Sequence, residues 1–242
     1  MAGFRSFLLL SFAYCVFAEG GQFFEPCFKN DISCLSKATE SFLEKSCLGL
    51  PKYDIKPTDP MIIPELDIVV DDGMGLLFKF TNMNITGLKN LQVLDFKMDT
   101  DKRSVLLKTK ASLHIVSDVN IKFTKKDKTF NGPYTATTTA LGTFEYGYSL
   151  TKKGDLEYFE VGPEAITCEI IGEPEVTIGG DLQNSLDNDS DARELKPGYE
   201  TNKVNLRKKT LCKIVEVAYV TIMHNLRASA RTLPKTAFFK DI

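Results

Sequence analysis

Two histidines, six cysteines and one long run of alternating aromatic, small and hydroxyl residues are where this chain could do chemistry. Nucleophilic catalysis needs a serine or cysteine within reach of a base, and metal-assisted hydrolysis needs clustered imidazoles or carboxylates. The sequence holds no Gly-x-Ser-x-Gly elbow, no glycine-rich phosphate loop and no His-Glu-x-x-His. His114 alternates with Leu113 and Ile115, so it points to solvent, and His224 falls in the polar wedge of a C-terminal helix. The cysteine spacings match no zinc pattern. Catalytic residues, a metal and a cofactor are therefore not expected.

The run from Tyr134 to Leu150 points to binding. Period two turns Tyr134, Ala136, Thr138, Ala140 and Gly142 to one face, followed on that face by Phe144, Tyr146 and Tyr148. A face of small residues ending in aromatics does not fill a core by itself. It leaves space for a helix or a ligand. An inward Tyr146 carries its hydroxyl into apolar surroundings, where that hydroxyl wants a partner. An apolar cavity with a few orienting polar groups is the chemistry of a small-molecule carrier.

Residues 1–18 read as a secretory signal peptide. Arg5 supplies the positive charge, Phe7 to Phe17 the apolar core, and Val16-Phe17-Ala18 the cleavage site. The apolar run is too short to span a membrane. The mature chain is expected to start near Glu19, to be secreted, and to form a single domain over residues 19–242. Cys15 leaves with the leader. Cys27 and Cys34 flank a short turn and form the natural close pair, Cys168 and Cys212 form the long pair, and Cys47 remains as a packed free thiol. Asn84-Ile85-Thr86 and Asn188-Asp189-Ser190 are glycosylation sequons.

The net charge of −2 argues against nucleic acid, whose binders carry a basic stripe. No later apolar run is long enough for membrane insertion, and no lysine-arginine cluster reads anionic lipid. No long apolar surface is left over, so a monomer is expected.

The elements that must position Tyr146 follow from periodicity. Ser33 to Leu48 reads as a short amphipathic helix, with Asp31 or Ser33 as cap and Gly49 at its end. Four prolines force an extended segment from Pro51 to Pro64. Leu66 to about Ile178 reads as sequential strands with short turns, including Asp71-Asp72-Gly73, Asp99-Thr100-Asp101 and Asn131-Gly132. Leu182 to Gly198 reads as a short helix and an exposed loop. Val204 to Leu233 reads as a long helix, apolar over most of its circumference, which must be enclosed. The fold class is α+β: a long, highly curved antiparallel sheet wrapped around the C-terminal helix.

These residues also carry a family resemblance. Cys27-x6-Cys34-Leu35, Gly49-Leu50-Pro51-Lys52-Tyr53-Asp54-Ile55, Asn84-Ile85-Thr86-Gly87-Leu88-Lys89-Asn90, Tyr146-Gly147-Tyr148 and His224-Asn225-Leu226-Arg227-Ala228-Ser229-Ala230 stand together in one chain. The whole resembles the haemolymph juvenile hormone-binding proteins of moths, within the takeout-like family. The resemblance implies the same wrapped helix and the two disulfides Cys27–Cys34 and Cys168–Cys212. It implies a gate helix over the cavity, placing Leu35, Phe42 and Leu43 toward ligand. It implies that Tyr146 bonds the epoxide of juvenile hormone, with Phe159 as a pocket aromatic, beside Phe144 and Tyr148. Transport of the hormone and protection from hydrolysis would be the function. A takeout-like carrier of a fatty acid, odorant or pigment is the alternative.

Overall fold

The computed structural model describes residues 24–242 except 71, 72 and 74. The expected leader, Cys15 and most of the Asp71-Asp72-Gly73 turn lie outside the described residues.

The first helix, α1, spans Ile32–Ser46. Its start is fixed by Asp31, whose carboxylate accepts the Cys34 N–H at 3.0 Å. Gly49, at φ 84°, turns the chain away after its end. The proline-rich segment is not uniformly extended. Pro51–Tyr53 forms a 3-10 turn, and strand β1 (Met61–Val70) already begins before Pro64. Pro64 is tolerated there because β1 lies at one end of the strand order and the register steps over it.

Strands β2 (Leu76–Thr86), β3 (Gln92–Asp99), β4 (Ser104–Phe123), β5 (Lys128–Lys153) and β6 (Leu156–Ile178) complete one antiparallel sheet. Its order is β1-β2-β4-β5-β6, with β3 paired to β4. β2 takes the C-terminal half of β4, and β3 takes the N-terminal half. β4 alternates without a break, burying Ala111, Leu113, Ile115, Val119 and Ile121 on one face.

The turn between β4 and β5 lies at residues 124–127, with Asp127 at φ 50°. Asn131-Gly132 is therefore not a turn; both residues pair inside the ladder, Gly132 opposite Val119. The glycine serves close approach instead: a Cβ on Gly132 would lie 2.7 Å from Cβ of Leu182.

Helix α2 (Gly180–Asn188) is followed by α3 (Ser190–Thr232), 43 residues long. At 1.5 Å per residue α3 extends about 65 Å. It includes Pro197 and Gly198, so the expected exposed loop is helical. Two causes are visible. Asp189 caps the start, accepting from the N–H groups of Asp191 and Ala192, and Lys128 bonds both Asp189 and Asp191. Leu195 and Tyr199 then pack on the core, so tertiary burial outweighs the proline penalty.

α3 packs along β6 and also touches β1, the two ends of the strand order. The sheet must therefore curl around the helix to meet it from both sides. Enclosure is incomplete: Val217 and Val220 are exposed in a groove between β1 and β6, because those two edges do not pair. The small face of β5 accepts the middle of α3. A Cβ on Gly142 would lie 2.2 Å from the Tyr219 ring, so that glycine lets the buried tyrosine seat.

Cys27–Cys34 and Cys168–Cys212 are both disulfides, with Cα atoms 5.8 and 5.4 Å apart. The free thiol expected at Cys47 is corrected: Cys47 is disulfide-bonded. No helix among the described residues is long and apolar enough to cross a membrane.

Candidate functional site

Filling of the sheet by α3 leaves empty space at both ends. One cavity, of about 140 Å³, lies where β3, the start of β4, the end of β5 and the start of β6 meet α1 and the last turns of α3. Register explains its inner wall. Val105 sits opposite both Met98 and Tyr146, so these three line up across β3, β4 and β5. Leu35 closes the cavity from α1, and Leu226 and Ala230 close it from α3.

Phe159 reaches the cavity through a bulge. Tyr146 pairs with Glu164, but Tyr148 pairs with Val161, so β6 carries one extra residue at Gly162-Pro163. Inward residues are odd-numbered before the bulge, Phe159 and Val161, and even-numbered after it, Ile166 and Cys168. Without the extra residue, Phe159 and Cys168 would face opposite sides of the sheet. Arg227 of α3 fastens the bulge, donating to the Gly162 carbonyl at 2.6 Å and pairing with Glu164.

Tyr146 brings a phenolic hydroxyl to the cavity. Its hydroxyl makes no hydrogen bond to any described residue. Burial raises the phenol well above its ordinary pKa, and nearby Arg227 offsets only part of that rise. The group is therefore a neutral hydroxyl at physiological pH, able to donate to an uncharged acceptor.

Among the expected site residues, Leu35, Tyr146, Tyr148 and Phe159 meet at this cavity, while Phe42, Leu43 and Phe144 do not line it. Phe42 shares a helix stripe with Leu35 but lies two turns further on, behind Phe24, on which it stacks at 4.4 Å. Leu43 is rotated from that stripe into the core. Phe144 is inward as expected, but the Tyr219 ring covers it at 5.0 Å. Asn188 is exposed at the end of α2, and Asn84 is half-buried in β2 between buried Met83 and Ile85. His114 is exposed and contacts the Thr137 hydroxyl; His224 bonds the Asp54 carbonyl.

Sequence reasoning missed the C-terminal tail. Phe238 and Phe239 line the cavity, both edge-on to Phe159 at 6.3 and 5.9 Å. The tail is held beside Cys27, whose N–H donates to the Phe238 carbonyl while its carbonyl accepts from Lys240 N–H. An aromatic pair just after Pro234 was the available signal.

A family model described as haemolymph juvenile hormone binding protein matches residues 7–158. A relative from Manduca sexta, a juvenile hormone-binding protein, is 48% identical over 229 residues, spanning 94% of this chain and all of the relative. The chain belongs to the haemolymph juvenile hormone-binding protein family. A crystal structure of Takeout 1 from Epiphyas postvittana covers 89% of this family member and 99% of its own chain, with a TM-score of 0.72 at 14% identity. That likeness shows a common fold, the curved sheet around one long helix.

Proposed function

We propose that this chain is a secreted monomeric carrier that binds juvenile hormone, a sesquiterpenoid methyl ester with an epoxide, and shields it from hydrolysis in haemolymph. The unpartnered neutral hydroxyl of Tyr146 at an apolar cavity, in a chain 48% identical to a juvenile hormone-binding protein, carries this reading. An epoxide oxygen accepts one hydrogen bond and offers no charge, which suits a protonated phenol. The rest of the wall is mainly aliphatic and aromatic, with Glu25 and Thr39 on the α1 side, which suits an isoprenoid chain. Binding rather than turnover is the activity this arrangement supports.

Magnitudes divide the roles. Burying roughly 400 Å² of apolar ligand surface supplies on the order of 10 kcal/mol. Lost freedom on association subtracts several kcal/mol. One neutral hydrogen bond adds about 0.5–1.5 kcal/mol. Burial supplies the affinity, and Tyr146 selects orientation and epoxide.

The cavity of about 140 Å³ is smaller than the ~300 Å³ at the low end of small-molecule sites. Ligand entry then requires its walls to move. α1 is the element suited to this, since it touches the sheet mainly through β3 and is tethered near its start by Cys27–Cys34. Leu35 would move with it.

Tyr146→Phe is expected to weaken hormone binding about threefold to tenfold and to leave an epoxide-free analogue unaffected. Equilibrium binding of both ligands to both proteins checks this. Equal losses for the two ligands would remove Tyr146 from the epoxide.

A further inference from the structure

A second cavity lies at the opposite end of α3. It has a volume of about 380 Å³, within the ~300–1,000 Å³ range of small-molecule sites. β2 and β4 contribute Phe78, Phe80 and Ile121 to an apolar chamber, and α3 closes it with Leu206. No residue lining it lines the cavity at Tyr146.

Its polar groups converge on one place. Arg207 is half-buried on α3 at the chamber wall. Its Nε donates to the Tyr199 hydroxyl at 3.2 Å, and its two terminal nitrogens make no hydrogen bond to any described residue. The other charges at the mouth are paired among themselves: Lys196 with Asp187 at 2.8 Å, and Glu200 with Lys203 at 2.8 Å. No carboxylate among the described residues forms an ion pair with Arg207. Tyr134 on β5 is only 7% exposed, lies edge-on to Phe80 at 5.1 Å, and its hydroxyl makes no hydrogen bond to any described residue. Arg207 is close enough to offset part of the rise that burial imposes on that phenol.

A guanidinium with two free nitrogens beside an unpartnered buried hydroxyl, both opening on an apolar chamber, is a carboxylate site with an acyl pocket attached. We propose that this cavity is a second, independent binding site for a long-chain fatty acid, its carboxylate held by Arg207 and the Tyr134 and Tyr199 hydroxyls, its chain in the space between β2, β4 and α3. The charge distinguishes this ligand from the neutral ester assigned to the other end. The chain would carry two lipids of different chemistry at once.

Equilibrium dialysis of radiolabelled palmitate and of hexadecanol against the purified protein tests the assignment. Palmitate is expected to bind one site about tenfold or more tighter than hexadecanol, because hydrogen bonds to a charged group are the stronger kind. Arg207→Gln should remove that preference, weakening palmitate about tenfold while leaving hexadecanol unchanged, and Arg207→Lys should restore part of it. Ala230→Phe, which obstructs the cavity at Tyr146, should leave palmitate binding intact. Palmitate binding that equals hexadecanol binding, that survives Arg207→Gln, or that is lost in Ala230→Phe would overturn the proposal. None of these readings depends on hormone binding at the other end.

Discussion

Ala230→Phe lowers hormone affinity by about 100-fold or more. Ala230 is buried on the last turns of α3 and lines the cavity beside Tyr146. A benzyl group at that position extends into the cavity that Ala230 borders. A ligand shut out of about a third of its burial loses about 3 kcal/mol, which is about 100-fold. That exceeds what the Tyr146 hydroxyl contributes, because contact area rather than one hydrogen bond supplies most of the affinity. The new ring enters empty volume, so thermal unfolding should stay close to that of the unchanged protein. Hormone titration and circular dichroism on the same sample check both halves. Affinity within threefold of the original would place the hormone elsewhere.

Gly87→Ala destabilises the fold by about 3 kcal/mol or more, lowering Tm by about 6–12 °C. Gly87 has φ 105°, and a Cβ there would lie 2.1 Å from the Ser112 carbonyl oxygen. That atom belongs to the backbone of β4, which is held by β2 and β5 and cannot retreat. The Gly87 N–H also donates to the Asp59 carboxylate at 2.9 Å, alongside Lys89 N–H, so the strained turn is fastened from a second side. Gly154→Ala is the control. Its φ is 63°, with nothing within 4 Å of the added carbon. It carries the conformational cost alone, about 1–2 kcal/mol. Thermal melts of the two variants separate steric clash from backbone preference; equal shifts would contradict the packing at Ser112.

Much of this fold was legible because period two is a strong signal over long strands. β4 and the inward face of β5 follow strict alternation, and α3 follows the helical repeat from Leu206 onward. The failures have physical causes. Asn131-Gly132 looked like a turn, yet glycine there answers the approach of Leu182 from a helix fifty residues away in sequence, and no local pattern reveals that. Pro197 marked a break, but capping at Asp189 and burial of Leu195 and Tyr199 keep the helix going.

The site was legible in part. Tyr146, Tyr148 and Leu35 sit on the faces that alternation and helical spacing assign them. Phe144 and Phe42 share those faces, but Tyr219 and Phe24 cover them, and coverage is a tertiary property. Phe159 depends on one extra residue in β6, which shifts parity midway along the strand. The tail aromatics Phe238 and Phe239 arrive because the C-terminal tail pairs with Cys27. The second cavity had no signature in the sequence, since its lining comes from two helices and four strands.

Equilibrium binding of radiolabelled juvenile hormone to the purified protein, competed with the hormone acid and the hormone diol, tests the central claim most directly. Tight binding of the intact hormone with weak competition by both products is the expected result, because the acid places a charge in a mainly apolar cavity and the diol removes the epoxide proposed to meet Tyr146. Absence of binding, or competition by acid and diol equal to that of the hormone, would contradict it.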